Sequence, residues 1–238
     1  MLLAQYGLDK PLSEQYFLYL NKIMHGDFGV SFQYPARSVS EVIRKAFPAS
    51  LELGLIAFAI AVVVGLFLGI VAALNHNKAL DYMAMFTAVL GISIPSFVLG
   101  PLLSYYVGNK WGLLPPALWN GPTYKILPSI ALSFGTLAIM ARLMRTSMID
   151  VLNQDYMKTA KSKGLSQSSI ISRHTIRNAI LPIVTISGPI FLSTSSRALL
   201  SLKGFFSVPG LGTQFVNAIV SNDYTMICGL TIFFIPSF

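Results

Sequence analysis

The chain is short of charge and of cysteine. Charged residues make up 11% of its 238 residues and hydrophobic ones 54%, against about 25% charge in an ordinary soluble domain. So few charges cannot coat a water-facing surface around so much apolar side chain, which excludes most soluble folds and leaves lipid to solvate much of the chain. Cys228 is the single cysteine; an internal disulfide and a Cys-based metal site are both excluded, and its place in an apolar run predicts inert burial. His25, His76 and His174 stand in separate polar stretches, which is not a metal-ligand spacing. No Gly-x-x-x-x-Gly-Lys-[Ser/Thr] stretch occurs, so this chain is not expected to bind ATP. Paired carboxylates and nucleophile constellations are missing too, which argues against a membrane-bound enzyme. Beyond Glu52 the apolar runs hold almost no acidic residue, which argues against an ion-coupled secondary transporter or a channel. The basic, apolar and small-residue regions of a signal peptide do not follow one another at the amino terminus.

What is present is a series of apolar runs between polar loops, the pattern of an all-α, polytopic integral membrane protein. The net charge of +8 lies in those loops and not on a soluble face, so it reads as topological and not as a nucleic-acid interface. Residues 1–50 carry charges too often for a span and form an N-terminal segment facing solvent. Within it Pro11 opens a helix to about Met24, and Leu12, Tyr16, Tyr19, Leu20 and Ile23 repeat at helical spacing. His25-Gly26-Asp27-Phe28-Gly29 breaks that helix, with Asp27 best read as a turn-maker and secondarily as a contact to substrate or a binding protein. A second amphipathic helix is expected over Ser38 to Phe47, with Ser38 and Glu41 as a capping box.

Residues 51–238 form the transmembrane part, with spans at about 52–74, 82–107, 125–143, 179–202 and 225–238. The first is the clearest: Leu53 to Leu74 is apolar throughout and long enough for a hydrocarbon core of roughly 30 Å, and Gly65-x-x-x-Gly69 permits close helix approach. Pro95 and Pro101 are expected to kink the second, with Ser93 and Ser96 available to the freed backbone groups. Ser93, Pro95 and Ser96, with Ser133 and Thr136, could line a pathway or simply bond helix backbone. Gly108 to Lys125 holds Trp111, Trp119 and three prolines, as a loop at the aromatic interface does. Arg197 interrupts the fourth span.

The loop from Arg142 to Asn178 has the densest excess of Lys and Arg, which places loop 142–178 in the cytoplasm. By alternation Asn75 to Asp81 is cytoplasmic as well, and residues 1–50, the Trp loop and Lys203 to Asp223 lie outside. An outside amino-terminal segment with nothing to carry it across predicts a further helix upstream of Met1 or a misplaced start, and the run from Met226 predicts a last helix that stops short. The loop also carries helical punctuation: Thr146 and Ser147 to cap a turn, Asp155 to cap Tyr156 to Lys163, Gly164 as a left-handed C-cap, and Ser166 to Asn178 as a second short helix. A basic amphipathic loop resting on anionic headgroups has the same residue pattern.

The motifs here add a resemblance. Lys158-Thr159-Ala160 leading to Gly164, with Ile180-Leu181-Pro182 downstream, resembles the EAA loop of bacterial ABC-importer permease subunits. The longer pattern from Asp155 through Leu165, then Arg173-His174-x-x-Arg177-Asn178-Ala179, is similar to the peptide and nickel permease family. His25-Gly26-Asp27-Phe28-Gly29-x-Ser31-Phe32, Ile94-Pro95-Ser96-Phe97 and Val208-Pro209-Gly210-Leu211-Gly212 agree with it over nearly the whole chain. Lys158 stands at the general glutamate position, and 192–203 departs from the family pattern, which points to a reading-frame disturbance there; the tail at 235–238 raises the same point. The resemblance implies a type I ABC-importer transmembrane domain without enzymatic activity or cofactor of its own, ATP and Mg belonging to partner subunits. The implied partners are a second homologous permease, two cytoplasmic ABC ATPases, an extracytoplasmic solute-binding protein and the bilayer of a bacterial cytoplasmic membrane, with no nucleic acid. The implied ATPase-coupling residues are Asp155, Lys158, Thr159, Ala160, Lys161, Gly164, Leu165, Arg173 and His174. Oligopeptides or dipeptides are the expected cargo, with nickel or another small solute as the alternative.

Overall fold

The computed structural model describes residues 10–200 and 206–234, the side chains of residues 193 and 195–200 excepted. The side chain of Arg197, most other side chains of the divergent 192–203 stretch and the whole 235–238 tail therefore lie outside what is described. The described part falls into two compact units, 10–49 with 209–234 and 50–200 with 206–208. It is helical throughout; the single β feature among the described residues is the bridge between Val30 and Ser38.

The first unit begins with α1 (Leu12–Met24), which starts directly after Pro11 and ends at His25, where Gly26 takes φ 77°. Helix α2 (Val39–Leu74) starts in this unit and continues into the other as one helix of 36 residues, roughly 54 Å long. The separate amphipathic helix expected over Ser38 to Phe47 is thus merged with the first span. Pro48 removes one N–H from the ladder, and with no glycine before Gly54 one lost bond does not end the helix. The segment 203–223, expected as a polar loop, contains α9 (Leu211–Val220), followed by α10 (Tyr224–Phe234). Asp223 caps α10, its carboxylate accepting from the Met226 N–H at 3.2 Å. The same buried carboxylate accepts from the Phe32 N–H at 3.2 Å and from the Ser31 hydroxyl. Val39, Val42, Leu211, Met226 and Leu230 form the apolar interior of this unit, and a Cβ on Gly229 would meet Val39 at 2.7 Å. Cys228, on the other side of α10, is exposed. The expected burial fails because this short apolar helix packs one face, through Met226, Gly229 and Leu230, and Cys228 lies off that face.

The second unit is organised around α5 (Ile126–Leu152), entered through a short 3₁₀ turn at Pro122–Lys125. It runs well beyond the expected 125–143, so Arg142 and Arg145 stand on a helix, and Thr146 and Ser147 are mid-helix residues instead of caps. The apolar 18-residue stretch of α5 is 61% buried against 28% for α2, and α5 is the post on which the others lean. Gly65 and Gly69 of α2 lie directly on its backbone, a Cβ at either meeting Leu137, Met140, Ala141 or Met144 atoms at 2.6–2.8 Å. The expected second span is two helices, α3 (Ala79–Ser93) and α4 (Ser96–Leu103), the latter running on as π-type turns through Ser104–Lys110; the bend between the two parts is 103°. The kink is a corner because Pro95 forces Ile94 into an extended conformation, φ −95° and ψ 111°. Pro101, by contrast, stays inside α4.

Past Leu152 come α6 (Asp155–Ser162), α7 (Gln167–Ala179, π-type over Ile170–Thr175) and α8 (Leu181–Leu200), with a 44° bend between α7 and α8. Met140, Met144 and Met148 of α5 pack with Ala73, Ala179 and Ile183, and Leu53, Ala57, Leu127 and Ala131 gather with Phe206 and Trp119. Val63, Phe67, Met83, Phe86, Leu181 and Val184 are each more than 60% exposed. Water would penalise so much exposed apolar surface; hydrocarbon does not. α2 and the 31-residue Pro122–Leu152 are each long and apolar enough to cross a membrane, and each bent pair passes the same test when taken together.

Candidate coupling site

Helices α6 and α7 make a small folded body at the end of α5. Met157, Ala160 and Ile170 are its buried centre, with Val151 and Leu152 of α5 packed against them. Spacing explains this: Met157 and Ala160 are three apart and share one face of α6, leaving Asp155, Lys158, Thr159 and Lys161 on the exposed one. Asp155 is the first residue of α6 and not its cap; the N-cap is Gln154, and the Asp155 carboxylate instead accepts from Lys158 Nζ at 2.8 Å. A carboxylate in the first turn and Lys161 in the last both suit the helix dipole.

The end of α6 fulfils the sequence expectation. Gly164 has φ 74°; its N–H donates to the Lys161 carbonyl at 3.0 Å, and the Leu165 N–H donates to the Ala160 carbonyl at 3.4 Å. These are the two bonds of a Schellman cap. The chain then reverses, Ser166 caps α7 by accepting from the Ser169 N–H at 3.4 Å, and the two helices are tied again where Asn178 Nδ2 reaches the Tyr156 hydroxyl at 3.4 Å.

Of the residues named from sequence, Asp155, Lys158, Thr159, Lys161, Gly164, Leu165 and Arg173 form exposed surface on this body, and His174 is half-buried. Ala160 faces inward, 8% exposed, so it shapes the body without offering a contact. Ser93, Pro95 and Ser96 come together at the α3–α4 corner. The Ser93 hydroxyl donates to the Val89 carbonyl at 2.9 Å and Ser133 to the Ile130 carbonyl at 2.8 Å, the backbone-bonding alternative. Thr136 does face another helix, its hydroxyl 2.7 Å from that of Thr194 on α8, both buried. Asp27 belongs to the first unit and makes a turn, accepting from the Gly29 N–H at 2.9 Å. Among the described residues no three metal-ligating side chains gather.

A charged site absent from the sequence expectations lies where α3 begins. Asp81 is 1% exposed. Its two carboxylate oxygens accept from Arg145 Nε at 2.6 Å and Nη2 at 2.7 Å, and the Asn77 N–H adds a bond at 3.0 Å. Arg145 Nη2 also lies 3.1 Å from His76 Nδ1. The signal was available: Arg142 and Arg145 are three apart and continue the helical period of the apolar run before them, which puts them on a helix and not in a loop. At the opposite end of α5, Lys125 pairs with Glu52 and stands 5.2 Å over the Trp119 ring.

Residues 65–237 match the family described as the binding-protein-dependent transport system inner membrane component. The chain is 46% identical over 231 residues to the dipeptide transport system permease protein DppB of Bacillus subtilis (strain 168), covering 97% of this chain and 75% of that protein. It is 45% identical over 231 residues to the oligopeptide transport system permease protein OppB of Haemophilus influenzae, covering 96% and 75% respectively. In fold it is similar to the crystal structure of an amino acid ABC transporter with histidines, with TM-score 0.60 and 22% identity over 83% of this chain and 88% of that one.

Proposed function

The chain belongs to the family of binding-protein-dependent transport system inner membrane components, and from that membership we propose that it carries oligopeptides or dipeptides inward through a path shared with a second, homologous permease. As a membrane-embedded ABC permease it is a transport component and not an enzyme. In the proposed cycle two partner ABC ATPases bind ATP and Mg on the cytoplasmic side, and an extracytoplasmic binding protein delivers the cargo.

The observation that carries this reading is the α6 body. It presents Asp155, Lys158, Thr159 and Lys161 on one exposed face, and its opposite face is locked to α5 through Met157, Ala160 and Ile170. A loop that only rested on lipid headgroups would need no Schellman cap and no packed interior. A push on α6 is therefore a push on α5, and α5 carries α2, α3, α4 and α8. The excess of Lys and Arg around it supports the cytoplasmic side. The likeness to dipeptide and oligopeptide permeases supports peptides over nickel.

The test is uptake by cells whose peptide import depends on this chain. A labelled tripeptide is expected to enter, unlabelled peptides of two to five residues to compete at micromolar concentration, and Ni²⁺ to have no effect. Competition by Ni²⁺ and none by peptides would reverse the substrate assignment.

A further inference from the structure

The buried pair Asp81–Arg145 does more than fill space. Its partners are 64 residues apart in sequence. Asp81 stands in the first turn of α3, and Arg145 stands on α5 seven residues before its last residue, Leu152. Between them they close the short turn after α2. Asp81 accepts from the backbone of Asn77, the left-handed residue of that turn with φ 60°, and Arg145 reaches His76 beside it. One turn away, Gly69 touches the Ala141 carbonyl and Met144, so α2 has no room to slide over α5. The carboxylate has all its near partners in place, with Arg145 side-chain exposure at 23% and that of Asp81 at 2%. A bidentate charge pair of this kind fixes angle as well as distance, and removing one partner strands a buried charge.

The geometry points to Asp81 and Arg145 as positioning residues of the transport stroke: they make the α2–α3 turn and the α5 end move as one body with the docking helix α6. This rests on the proposal that α6 receives the ATPase. Without the pair, α6 can be displaced while the α2–α3 turn stays behind, so ATP is hydrolysed with little transport. A merely structural pair would instead lower the amount of folded protein and leave transport per ATP unchanged.

Two measurements test this. In the first, the chain alone in nanodiscs carries spin labels at exposed Lys78 and Asp150, with Cys228→Ser to remove the native thiol. The distance distribution is expected to be narrow, to broaden at least twofold in Asp81→Asn, and to narrow again in the double exchange Asp81→Arg/Arg145→Asp. In the second, the complete transporter is reconstituted in proteoliposomes. Asp81→Asn is expected to lower peptide transported per ATP at least tenfold with ATPases still bound, and the exchange to recover it to within threefold. Equal distributions in all three proteins overturn the proposal, as does an unchanged ratio of transport to ATP in Asp81→Asn. An exchange that fails to recover either readout also counts against it. The labels need no ATPase, so a failure of the docking reading appears separately, as absence of bound ATPase on the unsubstituted chain.

Discussion

Gly69 and Met144 are in direct contact: a Cβ added to Gly69 would fall 2.6 Å from the Cβ of Met144 and 2.6 Å from the Ala141 carbonyl oxygen. No side chain fits that gap, so α2 and α5 meet backbone to backbone there. Gly69→Val is expected to destabilise the second unit by about 1–3 kcal/mol or more through forced separation. Gly188 on α8 is the control, since nothing lies within 4 Å of a Cβ there, and Gly188→Ala is expected to be neutral or slightly stabilising. Thermal unfolding in detergent, read side by side for the two variants, checks the contrast.

Gly164 has open space around it but a backbone at φ 74°, which strains a β-branched residue by about 1–2 kcal/mol. Gly164→Val is therefore expected to undo the Schellman cap and reduce co-purified ATPase at least tenfold. Gly164→Asn is expected to hold it within threefold, because Asn tolerates the left-handed region. Equal retention by both variants would show that the cap does not shape the docking surface.

Asp223 answers for three donors, Ser31 Oγ, the Phe32 N–H and the Met226 N–H. Asp223→Ala removes the acceptor of the buried Ser31 hydroxyl and the buried Met226 N–H, at about 1–3 kcal/mol for each one that finds no water. The first unit is expected to become sensitive to limited proteolysis within 10–49, and Asp223→Asn, which keeps one acceptor oxygen, to be intermediate. Protease resistance of Asp223→Ala equal to that of the parent chain would contradict this.

Pro95 holds the corner between α3 and α4 by restricting Ile94. Pro95→Ala restores an N–H donor and lifts that restriction. Spin labels at Met83 and Tyr105 are expected to report a broader distance distribution in this variant than in the parent, with peptide uptake reduced.

Much of this architecture was legible in the residues. Apolar run length gave the first span, Pro11 and Gly26 gave the bounds of α1, and Gly164 gave its own φ, because each is a local signal with one physical meaning. One failure came from reading charge as a helix breaker. Arg142 and Arg145 looked like the start of a loop, yet α5 runs on to Leu152 because no Gly or Pro intervenes and Asp81 neutralises Arg145 from another helix. That compensation is 64 residues away and leaves no local mark. Of the two prolines expected to kink the second span, Pro95 does so and makes a corner of 103°, whereas Pro101 stays inside its helix. Within the candidate site, the family resemblance pointed to the residues of α6 but could not tell that Ala160 points inward, since that depends on Ile170 folding back from the next helix.

The most direct test of the docking role proposed for α6 is a photoreactive amino acid placed at Thr159, exposed at the middle of that helix, in cells expressing the whole transport system. On irradiation, a cross-linked species is expected whose added mass equals that of the partner ATPase, and whose yield changes when ATP is depleted. Cross-links to lipid alone, with no ATPase at any ATP level, would contradict the account.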